Sequence, residues 1–491
     1  MTDSTDVRQT IERFLAGSLQ PALSEPGEEL IRISGDNFAL EDVRGSLRLQ
    51  AWSSRRNLVR RVTAINREKR GMLVLGVECF GKRPGTVSLI DLGRPHGQNA
   101  AEHSERLEFR EQFHRFLRRQ FPLHRVAELT TEADLEHSLS PAYPRALLRQ
   151  GSHCWAAIGA SPDPFHADRA LSFGLIWLDY LRGRESNCII QGLVLYLPAG
   201  EEKQTCLRLR FLDPHTARYM AFVYDEQGGE TQLDLRDFGN LDTHLQQCRR
   251  AIPGVLDSLT GRFAGSQDVE SIETADGERS WRVHGLEFAR TCGSQLLFGI
   301  HSKRRCEHWN IAEAVSLAEN LARLRCADAG DPQHPLYLAH PEAWLESQVR
   351  SHIEELDAQL LPDPIYGQVP AFAAAERGVL DLLAMDRGGR LAVLELKATA
   401  DIHLPLQALD YWMRVKWHVD RREFSPRGYF PDCQLSQEPP RLLLVSSALD
   451  FHPANERILR FFSPNLPIER VGVGLQWRRE LKVMFRSQPP C

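Results

Sequence analysis

Two almost wholly apolar segments, residues 378–386 and 390–398, lie on either side of a short turn that contains two glycines. A continuous apolar run of this length predicts a strand that is buried on both faces. The Gly-Gly pair predicts a tight turn, because glycine adopts the backbone conformations that such turns require. The region therefore predicts a hairpin in the interior of a sheet.

Charged residues interrupt this apolar hairpin: Asp381 and Asp386 in the first strand, and Glu395 and Lys397 in the second, which begins with Arg390 at the turn. An unpaired buried charge costs free energy, so charged groups in such strands need partners. Residues two apart point to the same side, which places Glu395 and Lys397 on one face. If residue 386 pairs with residue 390, Asp381 lies opposite Glu395, whereas a shift of one residue sends Asp381 to the other face. We therefore expect a loop with an odd number of residues, or a bulge.

Two carboxylates and an ammonium group on a shared face suit a hard divalent cation, which takes oxygen ligands and keeps several waters. Mg²⁺ or Mn²⁺ is the expected ion, with Asp381 and Glu395 as its ligands. Lys397 is expected to orient a water and to offset charge that develops on a phosphate. Only seven of the 60 basic residues are lysines, so a lysine here indicates a specific role. These residues predict hydrolysis of a phosphodiester bond.

The helix predicted at about 404–419 carries a polar stripe. Gln407, Tyr411, Arg414 and His418 follow one another at spacings of four, three and four residues, so they share one face. We expect the stripe to donate hydrogen bonds at the site edge, with Arg414 and His418 binding the phosphates of the scissile strand. The alternative is an ordinary polar helix face with Tyr411 half buried.

An amphipathic helix is predicted at 341–360, upstream of the hairpin. Its apolar side is formed by Trp344, Leu345, Val349, Ile353, Leu356 and Leu360. Glu346 lies beside this apolar stripe. It is either a further ligand of the metal or an ordinary surface glutamate.

Together these residues resemble the PD-(D/E)XK nuclease superfamily, and most of all its NucS-type and RecB-like branches. The similarity is carried by an acidic residue on the first helix, an aspartate, an acidic-apolar-lysine triplet and a QxxxY pattern: Glu346, Asp381, Glu395-Leu396-Lys397, Gln407 and Tyr411. One departure is that Leu380 stands where the family name has a proline.

The resemblance implies a role for each matching residue. Asp381 and Glu395 would hold the metal, Lys397 would assist the attacking water, and Gln407 and Tyr411 would support substrate positioning. Glu346 would be a further metal ligand.

The resemblance covers about residues 335–480 and implies an α/β fold with a restriction-endonuclease-like αβββαβ core. The last domain is therefore expected at 335–491. Upstream, the patterns predict a β-rich domain with one helix at 1–130 and an α/β or α+β domain at 131–334. Two proline-containing breaks in 138–166 predict a linker or an exposed loop.

The composition is that of an ordinary globular protein, with 42% apolar and 25% charged residues. A net charge of -5 means that any polyanion is bound by local patches. The ten cysteines are scattered singly, without the spacing of a zinc site. No stretch has the length and apolarity of a membrane span, so a cytoplasmic protein without a membrane partner is expected.

Nucleic acid is the expected partner, with DNA favoured over RNA, and the N-terminal domains are expected to form a homodimer or to bind a partner protein. Two alternatives to an active nuclease stay open. In the first, the chain is a catalytically inactive protein of the same fold that acts as a nucleic-acid-binding or scaffold module. In the second, the charged residues of the hairpin form structural ion pairs at the end of a sheet.

Overall fold

A computed structural model describes most of the chain: residues 4–25, 30–34, 37–43, 46–52, 57–69, 71–79, 83–237, 241–249, 268–274, 277–370 and 379–488. The fold of these residues is mixed α/β. Two compact units are present, the first formed by 1–201 with 220–232 and the second by 202–219 with 233–491. Among the described helices, none has both the length and the apolarity needed to cross a lipid bilayer.

The first unit begins with a helix and a seven-stranded antiparallel sheet, in the order β2-β1-β7-β6-β5-β4-β3. These elements are α1 (Ser4–Ala16), β1 (Pro21–Ser24), β2 (Ile31–Arg32), β3 (Phe38–Val43), β4 (Ser46–Trp52), β5 (Asn57–Lys69), β6 (Met72–Cys79) and β7 (Arg83–Asp91). Val7 and Ile11 of α1 pack against buried strand residues such as Leu73 and Leu75. This agrees with the β-rich module expected at the start of the chain.

A six-stranded sheet completes the first unit, in the order β13-β12-β11-β10-β9-β8. Its elements are α2 (Pro95–Gln120), β8 (Arg125–Thr130), β9 (Arg145–Gln150), β10 (His153–Gly159), α3 (Pro164–Arg184), β11 (Ile189–Pro198), β12 (Arg218–Tyr224) and β13 (Glu230–Gln232). Phe113 and Phe116 of α2 pack into the core of this sheet with Ala146 and Val194. Helix α2, which the sequence assigned to the first domain, therefore covers the second sheet.

The prediction of a linker or exposed loop at 138–166 was wrong. Strands β9 and β10 lie there, and Leu148 and Ala157 are fully buried. The prolines that suggested a break stand at the ends of these strands, where they do not interrupt pairing. The three-domain division itself stays a prediction, but its boundary at 130 falls directly after β8, which pairs with β9.

The second unit contains a five-stranded antiparallel sheet in the order β14-β15-β16-β17-β18. Its elements are α4 (Glu202–Leu209), β14 (Val269–Glu273), β15 (Arg279–Val283), β16 (Leu286–Cys292), β17 (Gln295–Phe298), β18 (Arg304–Cys306) and α5 (Ile311–Leu324). Ile311, Ala314 and Leu321 of α5 pack against Phe288 and Phe298.

The same unit holds a six-stranded mixed sheet, β19-β20-β21-β22-β23-β24. Its elements are α6 (Pro335–Leu338), α7 (Pro341–Ser351), α8 (Ile353–Leu356), β19 (Tyr366–Pro370), β20 (Val379–Met385), β21 (Leu391–Lys397), α9 (Leu404–Asp420), a 3-10 turn (Ser425–Arg427), β22 (Arg441–Ser447), α10 (Pro453–Leu459), β23 (Ile468–Val473) and β24 (Val483–Ser487). Strands β21, β22 and β23 are parallel, while β19, β20 and β24 pair antiparallel with their neighbours.

Helix α7 covers one face of this sheet, where Trp344 and Val349 pack against Leu394 and Leu396. Helix α9, which connects the parallel strands β21 and β22, packs against both of them. In this part of the chain a helix, three strands, a helix and a strand follow one another. The predicted helix at 341–360 is interrupted at His352, and the sequence did not locate strands β19 and β24.

Candidate functional site

The register of β20 and β21 is the one that the site hypothesis required. Opposite positions include Met385 with Leu391 and Leu382 with Leu394. Five residues, 386–390, lie between the strands, and the Asp386 amide donates to the Arg390 carbonyl at 2.8 Å. The prediction of an odd loop is confirmed.

Continuing this register by one pair places residue 381 opposite residue 395. The backbone of Asp381 belongs to β20, while its side chain lies outside the described part of the chain. The roles predicted for Asp381 therefore stay predictions.

The turn chemistry explains why this register forms. Asp386 Oδ1 accepts hydrogen bonds from the amides of Gly388 and Arg390 at 2.9 and 3.0 Å. Gly389 has a φ of 80°, which favours glycine. A Cβ there would lie 2.2 Å from the Gln434 carbonyl oxygen, so no other residue fits without movement of the backbone. The turn therefore holds the two strands in the predicted alignment.

Glu395 and Lys397 lie together on one face of β21, as predicted. Lys397 Nζ is 3.6 Å from Glu395 Oε1, and both side chains are largely buried, at 12% and 1% exposure. Leu394 and Leu396 point to the opposite face, into the core under α7. The apolar strand thus carries one polar pair near its carboxyl end, on the face opposite Leu394 and Leu396.

A third charged residue joins this pair, and sequence reasoning missed it. Glu342 Oε1 lies 3.8 Å from Lys397 Nζ, and the Glu342 side chain is 46% exposed. Glu342 stands in the first turn of α7, directly after Pro341 at the start of the helix. The sequence could have indicated Glu342, because it lies one helical turn before Glu346 on the same face of the helix.

Glu346, the predicted third carboxylate, has other partners. Its Oε1 lies 3.1 Å from Arg350 and 3.8 Å from Arg282, and the residue is only 6% exposed. Strand β19 approaches this ion pair through Gly367, where a Cβ would lie 2.1 Å from Arg350 Nη2. The alternative of a surface glutamate is therefore contradicted. Within the described residues, the glutamate of α7 that reaches Lys397 is Glu342.

The polar stripe of α9 begins with Gln407 and Tyr411. Gln407 Nε2 donates to Tyr411 Oη at 3.5 Å, and Tyr411 is buried rather than half buried. Burial lowers the pKa of Arg414, against the opposing charge of Asp410. Arg414 Nη1 also donates to the Asp410 carbonyl at 3.0 Å. The stripe is therefore a well-packed face, and the roles of Gln407, Tyr411 and Arg414 stay predictions.

His418, at the end of the stripe, is engaged on both ring nitrogens. Nδ1 lies 2.5 Å from Glu423 Oε2, and Nε2 lies 2.9 Å from Thr243 Oγ1. Burial lowers the pKa of His418, although the hydrogen bond with Glu423 opposes the effect. These contacts join α9 to neighbouring segments, so the structure does not bring His418 to the Lys397 site.

The charged groups around Lys397 have the chemistry of a site for a hard cation. Glu395 and Glu342 supply carboxylate oxygens, which are the ligands that Mg²⁺ and Mn²⁺ prefer. Among the side chains that the structure describes, no group of three or more His, Cys, Asp and Glu residues is positioned to hold a metal ion. The side chain of Asp381 lies outside these described side chains. Metal binding at this site, and the part of Asp381 in it, therefore stay predictions.

A comparison of the sequence with models of known protein families and with curated proteins finds no match.

Proposed function

We propose that the second unit is an Mg²⁺- or Mn²⁺-dependent nuclease that hydrolyses the phosphodiester backbone of DNA. The observation that carries the proposal is the register of β20 and β21: continued by one pair, it sets the backbone of residue 381 opposite Glu395, whose side chain lies 3.6 Å from Lys397 Nζ. Within this unit, α7, β19, β20, β21, α9 and β22 follow one another in the order that the resemblance implies. Both features support the metal-dependent hydrolysis that is proposed for this unit.

In the proposed reaction a water oxygen attacks phosphorus, one P–O ester bond breaks, and a proton from the water ends on the leaving oxygen. Lys397 Nζ orients the water and offsets the negative charge that develops on the phosphate. Asp381 and Glu395 would hold the cation, and Glu342 extends the acidic side of the site. When bound, the cation supplies polarisation of the phosphoryl oxygen and a lowered pKa of the attacking water.

The proposal is tested with labelled single-stranded, duplex and branched DNA and with RNA, incubated with Mg²⁺ or Mn²⁺. We expect the wild type to cleave DNA and to lose activity in EDTA. Lys397→Ala and Asp381→Ala should each lower the rate roughly 100- to 1,000-fold while the melting temperature stays close to that of the wild type. Lys416→Ala is the matched control, because Lys416 lies on α9 in a surface pair with Asp420 at 2.6 Å.

An equilibrium titration with Mn²⁺ separates the remaining outcomes. Binding of Mn²⁺ without cleavage of any substrate indicates an inactive scaffold of the same fold. Absence of both binding and cleavage indicates that Lys397, Glu395 and Glu342 form structural ion pairs, and it overturns the proposal.

A further inference from the structure

Strand β22 places a serine directly beside Lys397. Ser446 is the Cα partner of Lys397 in the parallel pairing of β21 with β22, and it is fully buried. Neighbouring parallel strands lie about 4.8 Å apart. The carboxyl ends of parallel strands are also where α/β sheets bind their ligands. Ser446 therefore occupies the same end of the sheet as the candidate site.

The alternation of side chains places Ser446 on the face of Lys397. Leu443 and Val445 belong to the core under α7, together with Leu394 and Leu396. Their neighbours along β22 point to the other face. Ser446 thus shares a face with both Lys397 and Glu395, whereas the next residue, Ser447, shares the face of the α7 core.

Ser446 Oγ is buried and has no hydrogen-bond partner among the described residues. A buried hydroxyl without a partner lowers stability, and most buried polar atoms in proteins have one. Such an atom, beside a lysine in a candidate active site, indicates that its partner arrives with the substrate.

The chemistry of the neighbouring groups identifies that partner. An ammonium group has three donors and no acceptor, whereas a hydroxyl can both donate and accept. A water that attacks phosphorus needs acceptors for its hydrogens, and Lys397 offers none while it is charged. Ser446 Oγ can accept one of these hydrogen bonds and so fix the direction of the attacking lone pair.

We propose that Ser446 is a positioning residue that accepts a hydrogen bond from the attacking water next to Lys397. This inference rests on the proposed nuclease function. It assigns to β22 a part in orienting the nucleophile, beside the charged groups of β21 and α7.

The test compares Ser446→Ala with Ser447→Ala in the full chain. Ser447 is a close control, because it is 1% exposed and its Oγ also has no partner among the described residues, but it lies on the opposite face. With DNA and Mg²⁺, Ser446→Ala should lower kcat about tenfold or more, the effect of one lost hydrogen bond of about 1.4 kcal/mol, and leave KM unchanged. Ser447→Ala should change neither constant.

A second measurement excludes a merely structural effect. Both variants should melt at or above the wild-type temperature, because each loses a buried hydroxyl without a partner. A lower melting temperature for Ser446→Ala alone would show that its hydroxyl has a structural partner, and it would overturn the inference. Equal kcat for Ser446→Ala and Ser447→Ala, in a wild type that cleaves, overturns the inference alone. A wild type that does not cleave overturns the proposed function as well.

Discussion

The carboxylate of Glu342 and the ammonium group of Lys397 approach each other to 3.8 Å, which joins the first turn of α7 to the end of β21. Four residues later on the same helix, Glu346 forms a buried ion pair with Arg350. The two glutamates therefore have different partners. One adds negative charge to the candidate site, and the other stabilises the packing between α7 and the sheets beside it.

This difference predicts that one isosteric substitution lowers the cleavage rate and that the other lowers the stability. Glu342→Gln should lower the cleavage rate at least tenfold and weaken Mn²⁺ binding, because it removes negative charge beside Lys397, with little change in stability at this half-exposed position. Glu346→Gln should lower the free energy of unfolding by about 3 kcal/mol, since it breaks a buried charge pair. Its cleavage rate below the melting transition should stay close to that of the wild type. Urea denaturation and initial cleavage rates measure both effects, and a rate loss confined to Glu346→Gln contradicts the assignment.

The sequence predicted the hairpin because its information is local. Apolar runs define β20 and β21, and the Asp386 and Gly389 turn fixes their register within a few residues. Local sequence does not decide which of Glu342 and Glu346 lies beside Lys397. The choice depends on Arg282, a residue of strand β15 that is distant in sequence and lies 3.8 Å from Glu346. No periodicity in the helix reveals such a partner.

Long-range pairing also explains the other differences between prediction and structure. Strand β19 is short and contains Gly367, so it has little of the apolar signal that identifies a strand, yet it pairs with β20 along its length. The position of Ser446 beside Lys397 follows from the pairing of strands that are almost 50 residues apart in the chain. Such neighbours become visible only when the sheet order is known.

The turn between β20 and β21 gives a second prediction. Gly389→Ala should lower the free energy of unfolding by about 2–4 kcal/mol, because alanine is strained at a φ of 80° and its Cβ meets the Gln434 carbonyl. Gly388→Ala is the matched control. Its added Cβ lies 3.3 Å from the nearest atom, a side-chain oxygen of Asp386, so a loss under about 1 kcal/mol is expected. Equal losses for the two variants in chemical denaturation would show that the turn does not impose the register.

The buried state of His418 gives a prediction on pH. Burial lowers its pKa in the folded protein, whereas the unfolded chain takes up the proton near the ordinary value of about 6.5. The unfolded state therefore binds more protons as the pH falls below about 6.5, and the free energy of unfolding decreases, by at most about 1.4 kcal/mol per pH unit for one histidine. Burial lowers the pKa of His284 and His452 as well, so their contributions have the same sign.

Substitution identifies the share of His418 in this loss of stability. His418→Gln removes the titrating group, so its stability should depend less steeply on pH between 7.5 and 5.5 than that of the wild type. His301→Gln should keep the wild-type slope, because His301 is exposed. Urea denaturation at three pH values measures the slopes. If His418→Gln and the wild type lose stability in parallel, the hydrogen bonds of His418 with Glu423 and Thr243 hold its protonated form as well as its neutral form, and the predicted linkage is absent.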